Sequence, residues 1–450
     1  MNVKRVYRAI VAVGLAVVVA RLAQMIRDLA IAKHFGVSAQ ADAYFLAVLI
    51  PMHLINVVAG SIGVALVPKI IQLEEESAPG ESQKLVETVT GITLAALTAF
   101  GMIAGLIFPL VAPQLGSLST SGSAQLASVL LWAMMPMLIL SGLATVWSAI
   151  LTAKEKFALP SIVPVISPFL ILLLLPIWPT ESKIYALAIG ASLGALIEVT
   201  ILGVALRRRG FRLLPRWYGP ELVKDLGGLL VPLGSGAAVL TLVSLLPQFI
   251  AAGLSPGSVS VLSYSTKATT LISSIAGVAI ATVTQTYFSR LIAANDWTTL
   301  RHSLNRISFT GLLILSTITV IVVIASVPLT RLLFERGMFT DRDTQLVSPV
   351  QALYALQIPC AALSVGLYRL LAALGERRLL WQIPVGGVFI LALLAPILAG
   401  IMSVRGLALS VSIFHLVSTF AYWYLLSQVL IPRRQRGGLT NLAVQPGSAQ

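Results

Sequence analysis

Charged side chains and cysteine are scarce in this chain. Of its 450 residues only 17 are Asp or Glu, four are His and one is Cys. The single cysteine, Cys360, excludes an internal disulfide and a cysteine metal cluster. The four histidines lie on four different segments, so the sequence predicts no metal site, and it carries no motif for a cofactor.

Signatures of common catalytic sites are also missing. The chain has no Gly-x-x-x-x-Gly-Lys-Ser/Thr phosphate loop, no His-Glu-x-x-His zinc helix and no Gly-x-Ser-x-Gly elbow. The longest loop predicted on the outer side, RLLFERGMFTDRDT, is too short to carry the catalytic groups of a membrane glycosyltransferase. No catalytic residue is predicted, and transport becomes the leading class of function.

What the chain has in abundance is apolar surface. Hydrophobic residues make up 57% of the chain and charged residues 11%, against about 25% charged residues in ordinary soluble domains. The mean hydropathy is +0.92, as expected of an integral membrane protein. The net charge of +14 lies between the apolar runs rather than on one recognisable basic module, so no nucleic-acid partner is predicted.

Apolar stretches long enough to cross a bilayer, about 20 residues, occur twelve times. The first resembles a signal peptide, but similar runs continue to residue 430, so it is interpreted as an uncleaved span. The predicted fold class is an all-α polytopic membrane protein with about 12 transmembrane helices. The spans lie near 6–27, 40–67, 85–111, 125–152, 160–178, 184–206, 228–252, 258–288, 306–333, 345–374, 380–401 and 404–430.

The basic residues fall unequally on the two sides of these spans. With the N-terminus inside, 21 of the 31 Lys and Arg lie on the cytoplasmic side, seven lie outside and three lie within spans. Because cytoplasmic loops carry the excess of Lys and Arg, both termini are predicted to be cytoplasmic.

The two halves of the chain resemble each other weakly at three places. GSIGVALVPKI and GVAIATVTQTY, AKEKF and LGERR, and ALAIGASLGAL and GLALSVSIFHL are offset by 217, 221 and 220 residues. The near-constant offset predicts two pseudo-symmetric six-helix bundles of one orientation, as in transporters built from parallel repeats. The predicted parts are an N-terminal bundle 1–206, a basic cytoplasmic linker 207–227, a C-terminal bundle 228–431 and a disordered cytoplasmic tail 432–450.

The stretch VVVARLAQMIRDLAIAKHFGVSAQADAYFLAVLIP places charges inside a predicted membrane helix. A charged residue at the centre of a bilayer costs about 2.5–3.5 kcal/mol on insertion scales, so such residues usually face a bundle interior or a wet cavity. Arg21, Gln24 and Asp28 have the spacing of one helix face. In one interpretation these three residues line a substrate-binding cavity together with Arg27 and Asp42. Arg21 and Arg27 then bind an anionic substrate, since the guanidinium fork suits phosphate.

The other interpretation of these charges is structural. Asp42 opens the second helix and would pair with Arg27 or Lys33 across the short outer loop, holding the first two helices together. His53, further along the second helix, is interpreted as the partner of a hydrogen bond between helices.

Two further charged residues lie inside predicted spans. Lys267, in LSYSTKATTLI, is interpreted either as a cavity cation or as a structural partner of Glu198 or Asp42. Glu198, in GALIEVTIL, is the candidate coupling carboxylate, unless it is solvated near the cytoplasmic end of its helix.

The opening stretch resembles the start of the MviN/MurJ family of lipid-linked peptidoglycan precursor flippases, within the multidrug/oligosaccharidyl-lipid/polysaccharide (MOP) exporter superfamily. That family opens with a pattern of the kind S-R-x-x-G-x-x-R-D, then F-G, then D-A-F. LLFERGMFTDRDT is similar to the family's loop between helices 9 and 10. The resemblance implies a V-shaped pair of six-helix bundles, as in MATE transporters, around a cationic cavity. The matching residues are Arg21, Arg27, Asp28, Phe35, Gly36, Asp42, Ala43 and Tyr44.

The chain departs from that pattern at several positions. Where the peptidoglycan precursor flippases carry two arginines and a glutamate on helix 2, this chain reads HLINVVAGSIG, and Lys267 stands where helix 8 carries an arginine. The seventh helix has no acidic candidate for the sodium site of some relatives. The substrate is therefore left open between a lipid II-type precursor and another surface-glycan unit.

The hypothesis from sequence is a flippase of the bacterial cytoplasmic membrane. It would move a polyprenyl-(pyro)phosphate-linked saccharide from the inner to the outer leaflet, with the bundles rocking about the linker near 207–225 and glycan-assembly enzymes as possible partners. The alternatives are an ion-coupled drug or small-molecule antiporter of the same superfamily and a non-transporting scaffold for glycan-assembly enzymes.

Overall fold

The computed structural model describes residues 3–76, 79–116, 118, 123–219, 221–283 and 287–443. These residues are helical apart from short connections and contain no β-strand. The helices as far as residue 283 are α1 (Val3–Phe35), α2 (Ala39–Leu54), α3 (Ser61–Glu75), α4 (Pro79–Val111), α5 (Ala124–Ala133), α6 (Met135–Ala153), α7 (Ala158–Ile162), α8 (Ile166–Ile177), α9 (Tyr185–Arg207), α10 (Glu221–Ala252) and α11 (Ser258–Val283).

The helices of the remaining chain follow the same pattern of long apolar rods joined by short turns. They are α12 (Ser289–Ala293), α13 (Trp297–Ile324), α14 (Ser326–Phe334), α15 (Asp341–Ala355), α16 (Ile358–Ala373), α17 (Arg377–Met402) and α18 (Val404–Ala443). The chain forms two compact units, the first from residues 1–260 and 334–340 and the second from residues 261–333 and 341–450.

Nine helices of the described part are long and apolar enough to cross a membrane, and a tenth span is formed if α15 and α16, bent by 40°, are counted together. The other two of the twelve predicted spans, near 6–27 and 258–288, lie on α1 and on α11, with residues 284–286 outside the described part. The predicted all-α polytopic membrane fold is confirmed.

In the first unit, α9 packs against α6 and α8, and α3 packs against α6. The second predicted span is not one uniform helix, because a π-helix from Ile55 to Gly60 separates α2 from α3. Pro51 precedes this segment by four residues, and proline has no N–H to donate to the helical ladder. In the second unit, α18 packs against α15, α16 and α17.

Two features differ from the domain boundaries predicted from the repeat. Helix α10 packs against α2 and α3 and so belongs to the first unit, although the repeat placed residues 228–252 in the second bundle. Repeats record sequence likeness, whereas a compact unit is defined by packing. Residues 432–443 of the predicted disordered tail continue α18, because extending an existing helix needs no new nucleation. Residues 444–450 lie outside the described part.

Candidate functional site

Arg21 lies in the apolar part of α1 with its side chain exposed. Its Nη1 donates to Oε1 of Gln24 at 3.2 Å, which confirms that these two residues share a helix face. The neighbouring Leu22 and Ile26 are 47% and 53% exposed, so this part of α1 is not covered by the packing of its own unit. An exposed guanidinium on an apolar membrane helix needs an aqueous environment, such as a water-filled cavity.

Arg27 is paired with the residue that follows it. Its Nε and Nη2 donate to Oδ1 of Asp28 at 3.0 and 2.7 Å, and the Asp28 side chain is buried. Tyr44 of α2 is close enough to interact electrostatically with Arg27. The ion pair uses two of the five guanidinium N–H groups, so Arg27 is held in place and keeps donors for another acceptor.

The predicted pairing of Asp42 with Arg27 or Lys33 is wrong. Asp42 is fully buried, and its Oδ2 and Oδ1 accept the backbone N–H groups of Gly257 and Ser260 at 2.7 Å each. These N–H groups open α11 and have no partner within that helix. The carboxylate therefore caps α11 from a different helix, and Asp42 joins the start of α2 to the start of α11.

No local signal reveals this cap. Ser38 caps α2 itself, since its Oγ accepts the Ala41 N–H at 3.2 Å. That cap leaves Asp42 in the first turn of α2, where a carboxylate also suits the positive end of its own helix dipole. The partners of Asp42 lie more than 200 residues away in the chain, so only the packing of the helices brings them together.

Lys267 lies on the second compact unit, whereas Arg21, Arg27 and Asp42 lie on the first. The hydroxyl groups around it bond to backbone carbonyls, since Thr266 donates to Ser263 and Ser265 donates both to Val261 and to Val347 of α15. That Lys267 shares a cavity with the arginines stays a prediction.

Glu198 is buried in α9, so the alternative in which it is solvated is wrong. Its carboxylate accepts the backbone N–H of Ser167, at the start of α8. The role of Glu198 as a coupling carboxylate stays a prediction. The sequence suggested solvation because Glu198 lies away from the centre of its span. Position along the span does not show that α8 covers this side chain.

The predicted hydrogen bond of His53 between helices is confirmed. Its Nε2 lies 2.7 Å from Oγ of Ser244 on α10, and its Nδ1 lies 2.8 Å from the carbonyl oxygen of Leu49. A carbonyl only accepts, so Nδ1 carries a proton. The bond ties α2 to α10 next to the π-helix.

The linker predicted as a rocking point is a strap fastened to the first unit. Gln83 Nε2 donates to the Arg212 carbonyl at 2.8 Å while its Oε1 accepts the Arg212 N–H at 3.1 Å. The Tyr218 hydroxyl donates to Glu87 Oε2 at 2.7 Å. Buried Phe211 lies under the ammonium group of Lys154, 5.1 Å from the ring centroid.

Lys154, at the end of α6, is also ion-paired with Glu74 of α3. Residues 211–218, here called the strap, are thus held by Gln83 and Glu87 of α4 and by Lys154 at the end of α6. The sequence of this stretch indicates only its positive charge and assigns no role to Gln83, Glu87 or Phe211. The sequence does place Gln83 and Glu87 four residues apart at the start of a predicted span, and this spacing could have indicated a shared polar face.

No three His, Cys, Asp or Glu side chains come together as metal ligands would in the described residues.

Comparisons with known proteins give one consistent result. The profile of the family described as "Lipid II flippase MurJ" matches residues 31–445. The probable lipid II flippase MurJ of Buchnera aphidicola subsp. Schizaphis graminum is 27% identical over 449 residues, covering 95% of this chain and 84% of that protein. The probable lipid II flippase MurJ of Rhizobium meliloti is 28% identical over 364 residues, covering 78% of this chain and 67% of that protein.

Solved structures agree at the level of the fold. A lipid II flippase MurJ in an inward closed conformation aligns with a TM-score of 0.80 at 21% identity, over 97% of this chain and 94% of that chain. An inward-facing multidrug resistance MATE transporter of the MOP superfamily aligns with a TM-score of 0.74 at 13% identity, over 95% and 99%. At such identities the likeness concerns the arrangement of helices.

Proposed function

This chain belongs to the MurJ family of lipid II flippases, and we propose that it translocates a polyprenyl-(pyro)phosphate-linked saccharide from the inner to the outer leaflet by alternating access. The substrate is a lipid II-type peptidoglycan precursor or a related surface-glycan unit. The observation that carries the proposal is the family match over residues 31–445, which includes LLFERGMFTDRDT and the part of the opening stretch from Ile31 onward.

The charges of α1 supply the chemistry that such a substrate needs. A pyrophosphate crossing a membrane must exchange water for other donors, and Arg is the residue whose planar fork fits phosphate oxygens. Arg21 is exposed, and within the described part of the chain its side chain bonds only to the neutral Gln24, so its charge is available. Arg27 is held by Asp28 with donors to spare.

Each candidate residue has a separate role in this proposal. Arg21 makes the first contact with the phosphate, Arg27 binds it in a fixed orientation set by Asp28, and Gln24 orients Arg21. Lys267 of the second unit supplies a third positive charge for the substrate. Asp42 and Asp28 position other groups and do not touch the phosphate, because the anionic carboxylates would repel it.

The protein works in the bacterial cytoplasmic membrane with both termini on the cytoplasmic side. The excess of Lys and Arg in the loops on that side supports this orientation. The membrane potential would act on the cavity charges with about 2.3 kcal/mol per charge per 100 mV. Enzymes that make or polymerise the lipid-linked saccharide are the expected partners.

The test is flipping of a lipid-linked precursor in cells depleted of their own flippase. Outer-leaflet precursor is measured with an impermeant probe in cells carrying the parent chain, Arg21→Ala/Arg27→Ala or Lys33→Ala. We expect the parent and Lys33→Ala to restore flipping and the double variant to lose at least about tenfold, since each lost charge-assisted phosphate contact is worth about 1.5–3 kcal/mol. Lys33 is the matched control because it is an exposed cation at the end of the same helix.

Two outcomes contradict parts of the proposal. Restoration by all three chains, at equal expression, would remove the arginines from the phosphate site. Failure of the correctly inserted parent with lipid II but success with another polyprenyl-linked glycan would move the substrate to that glycan. The antiporter alternative predicts instead that the parent chain does not restore precursor flipping and that Glu198→Gln abolishes ion-coupled efflux of a small cation.

A further inference from the structure

A cavity of about 580 Å³ opens between α7 and the last turns of α9. One wall is apolar and consists of Leu159 on α7 with Ile201, Val204 and Ala205 on α9. The rim at the end of α9 is basic and consists of Arg208 and Arg209. The cavity lies wholly within the first compact unit, and no residue of α1 is among those that line it.

The packing of α8 on α9 explains why there is space at this end. Two glycines let the backbones approach closely, since a Cβ on Gly190 would lie 2.9 Å from Ile171 Cγ1 and 3.0 Å from its Cα. Gly194 meets Ser167 in the same way. Beyond this crossing α9 faces the short α7 and the 3-10 turn from Val163 to Val165, which contain Pro160 and Pro164. The cavity occupies the space that this irregular segment leaves beside α9.

The two arginines at the rim have donors to spare. Arg209 Nη1 donates to the Ala205 carbonyl at 3.2 Å, which holds the side chain near its own helix end. Among the described residues the side chain of Arg208 makes no hydrogen bond or ion pair, and no carboxylate lines the cavity. The negative end of the α9 dipole stabilises both cations where they stand.

Membrane orientation alone does not account for the position of Arg208 and Arg209 at the rim of the cavity. A run of arginines after a span is expected on the cytoplasmic side, and Arg207, which is exposed and does not line the cavity, needs no further explanation. The positive-inside rule does not require two arginines to border a cavity with an apolar wall. That combination of apolar wall and basic rim matches the two ends of a phospholipid.

We infer that this cavity, bounded by Leu159, Val204, Arg208 and Arg209, binds an anionic phospholipid of the surrounding leaflet. The lipid phosphate bonds to Arg208 and Arg209, and the first part of an acyl chain lies along Leu159, Ile201 and Val204. Basic pockets between membrane helices are a recurring way of holding anionic head groups. The apolar wall favours a lipid over free phosphate, and the two cations favour an anionic head group over a zwitterionic one.

The test is lipid retention by the purified full chain in detergent, measured by native mass spectrometry with added phosphatidylglycerol, phosphatidylethanolamine or inorganic phosphate. The Arg208→Ala/Arg209→Ala variant is compared with Arg207→Ala/Arg212→Ala, which removes the same charge from exposed neighbours that do not line the cavity. We expect the parent and the control to hold phosphatidylglycerol at least about tenfold more tightly than the cavity variant does. A tenfold change corresponds to about 1.4 kcal/mol.

A third variant guards against misfolding. Arg208→Lys/Arg209→Lys keeps both charges and loses only the planar forks, so we expect retention between those of the parent and the alanine variant. Equal loss in both alanine variants, or equal retention of phosphatidylethanolamine, would overturn the inference. Displacement of phosphatidylglycerol by millimolar inorganic phosphate would assign the site to a soluble anion instead. None of these readouts depends on flipping, so the inference and the proposed function can fail separately.

Discussion

At the scale of single residues, Asp42 is a carboxylate held by backbone groups. It is fully buried, no cation among the described residues pairs with it, and it is stabilised by two short hydrogen bonds from backbone N–H groups. A buried carboxylate is costly unless its oxygens are bonded, and the uncapped start of α11 is costly unless its N–H groups are accepted. The two hydrogen bonds remove both costs at once, which explains why a carboxylate is found in this buried position.

Replacing Asp42 tests this account. Asp42→Ala leaves two buried N–H groups without an acceptor, each costing about 1–3 kcal/mol, so we expect a clear fall in Tm followed by tryptophan fluorescence in detergent. Asp42→Asn keeps one acceptor oxygen, so its Tm should lie between that of the parent and that of Asp42→Ala. Asp341→Ala is the control, because Asp341 pairs with Arg331 at the exposed surface, where ion pairs contribute little. An equal Tm for Asp42→Ala and the control would show that the cap does not stabilise the fold.

At the scale of elements, the strap of residues 211–218 changes the picture of how the two halves are connected. A basic linker rich in Arg predicts a flexible, solvated hinge. Here its backbone bonds to Gln83, Tyr218 bonds to Glu87, and Phe211 is buried under Lys154. A segment held at three points moves with the unit that holds it, so we expect residues 211–218 to move with the first unit.

Hydrogen–deuterium exchange can test the strap. Tyr218→Phe removes the donor to Glu87 without changing the ring, and we expect about fivefold faster exchange in a peptide containing Arg212 and Arg216, as a loss of about 1 kcal/mol would give. Tyr185→Phe is the matched control, because the Tyr185 hydroxyl makes no hydrogen bond among the described residues. Unchanged exchange in Tyr218→Phe would mean that Gln83 and Phe211 hold the strap without help from Tyr218.

At the scale of the whole molecule, the distribution of basic residues determines the proposed orientation. In this orientation 21 Lys and Arg, among them Arg207, Arg208 and Arg209, would lie on the cytoplasmic side and seven on the outer side. Both the direction of translocation and the leaflet that supplies the proposed phospholipid follow from this orientation.

Cysteine labelling tests the orientation directly. Cys360 is the only cysteine and is buried, so Cys360→Ser gives a suitable background. We expect an impermeant maleimide to label Glu181→Cys in intact spheroplasts and Lys156→Cys only after permeabilisation, because these exposed residues lie on opposite sides of the span from α7 to α8. The reverse labelling pattern would show the opposite orientation in the membrane and would place the cavity of Arg208 and Arg209 at the outer leaflet.

The sequence by itself determined the class of fold and the positions of the spans. Hydropathy is a property of each segment, and a helix long enough to cross a bilayer must bond its own backbone groups wherever its neighbours lie. The stretch around Arg21 and Arg27 was also enough to indicate the family, and the spacing of Arg21 and Gln24 was enough to place them on one helix face.

Only the tertiary structure decided which groups meet between helices. Asp42 caps α11, Glu198 meets Ser167, the strap binds Gln83 and Glu87, and two of three consecutive arginines border a cavity. Each contact depends on the rotation and depth at which two helices pack, and these are set by the side chains of both partners together. A periodicity shows which residues share a face of a helix, and the packing of the whole unit decides what that face meets.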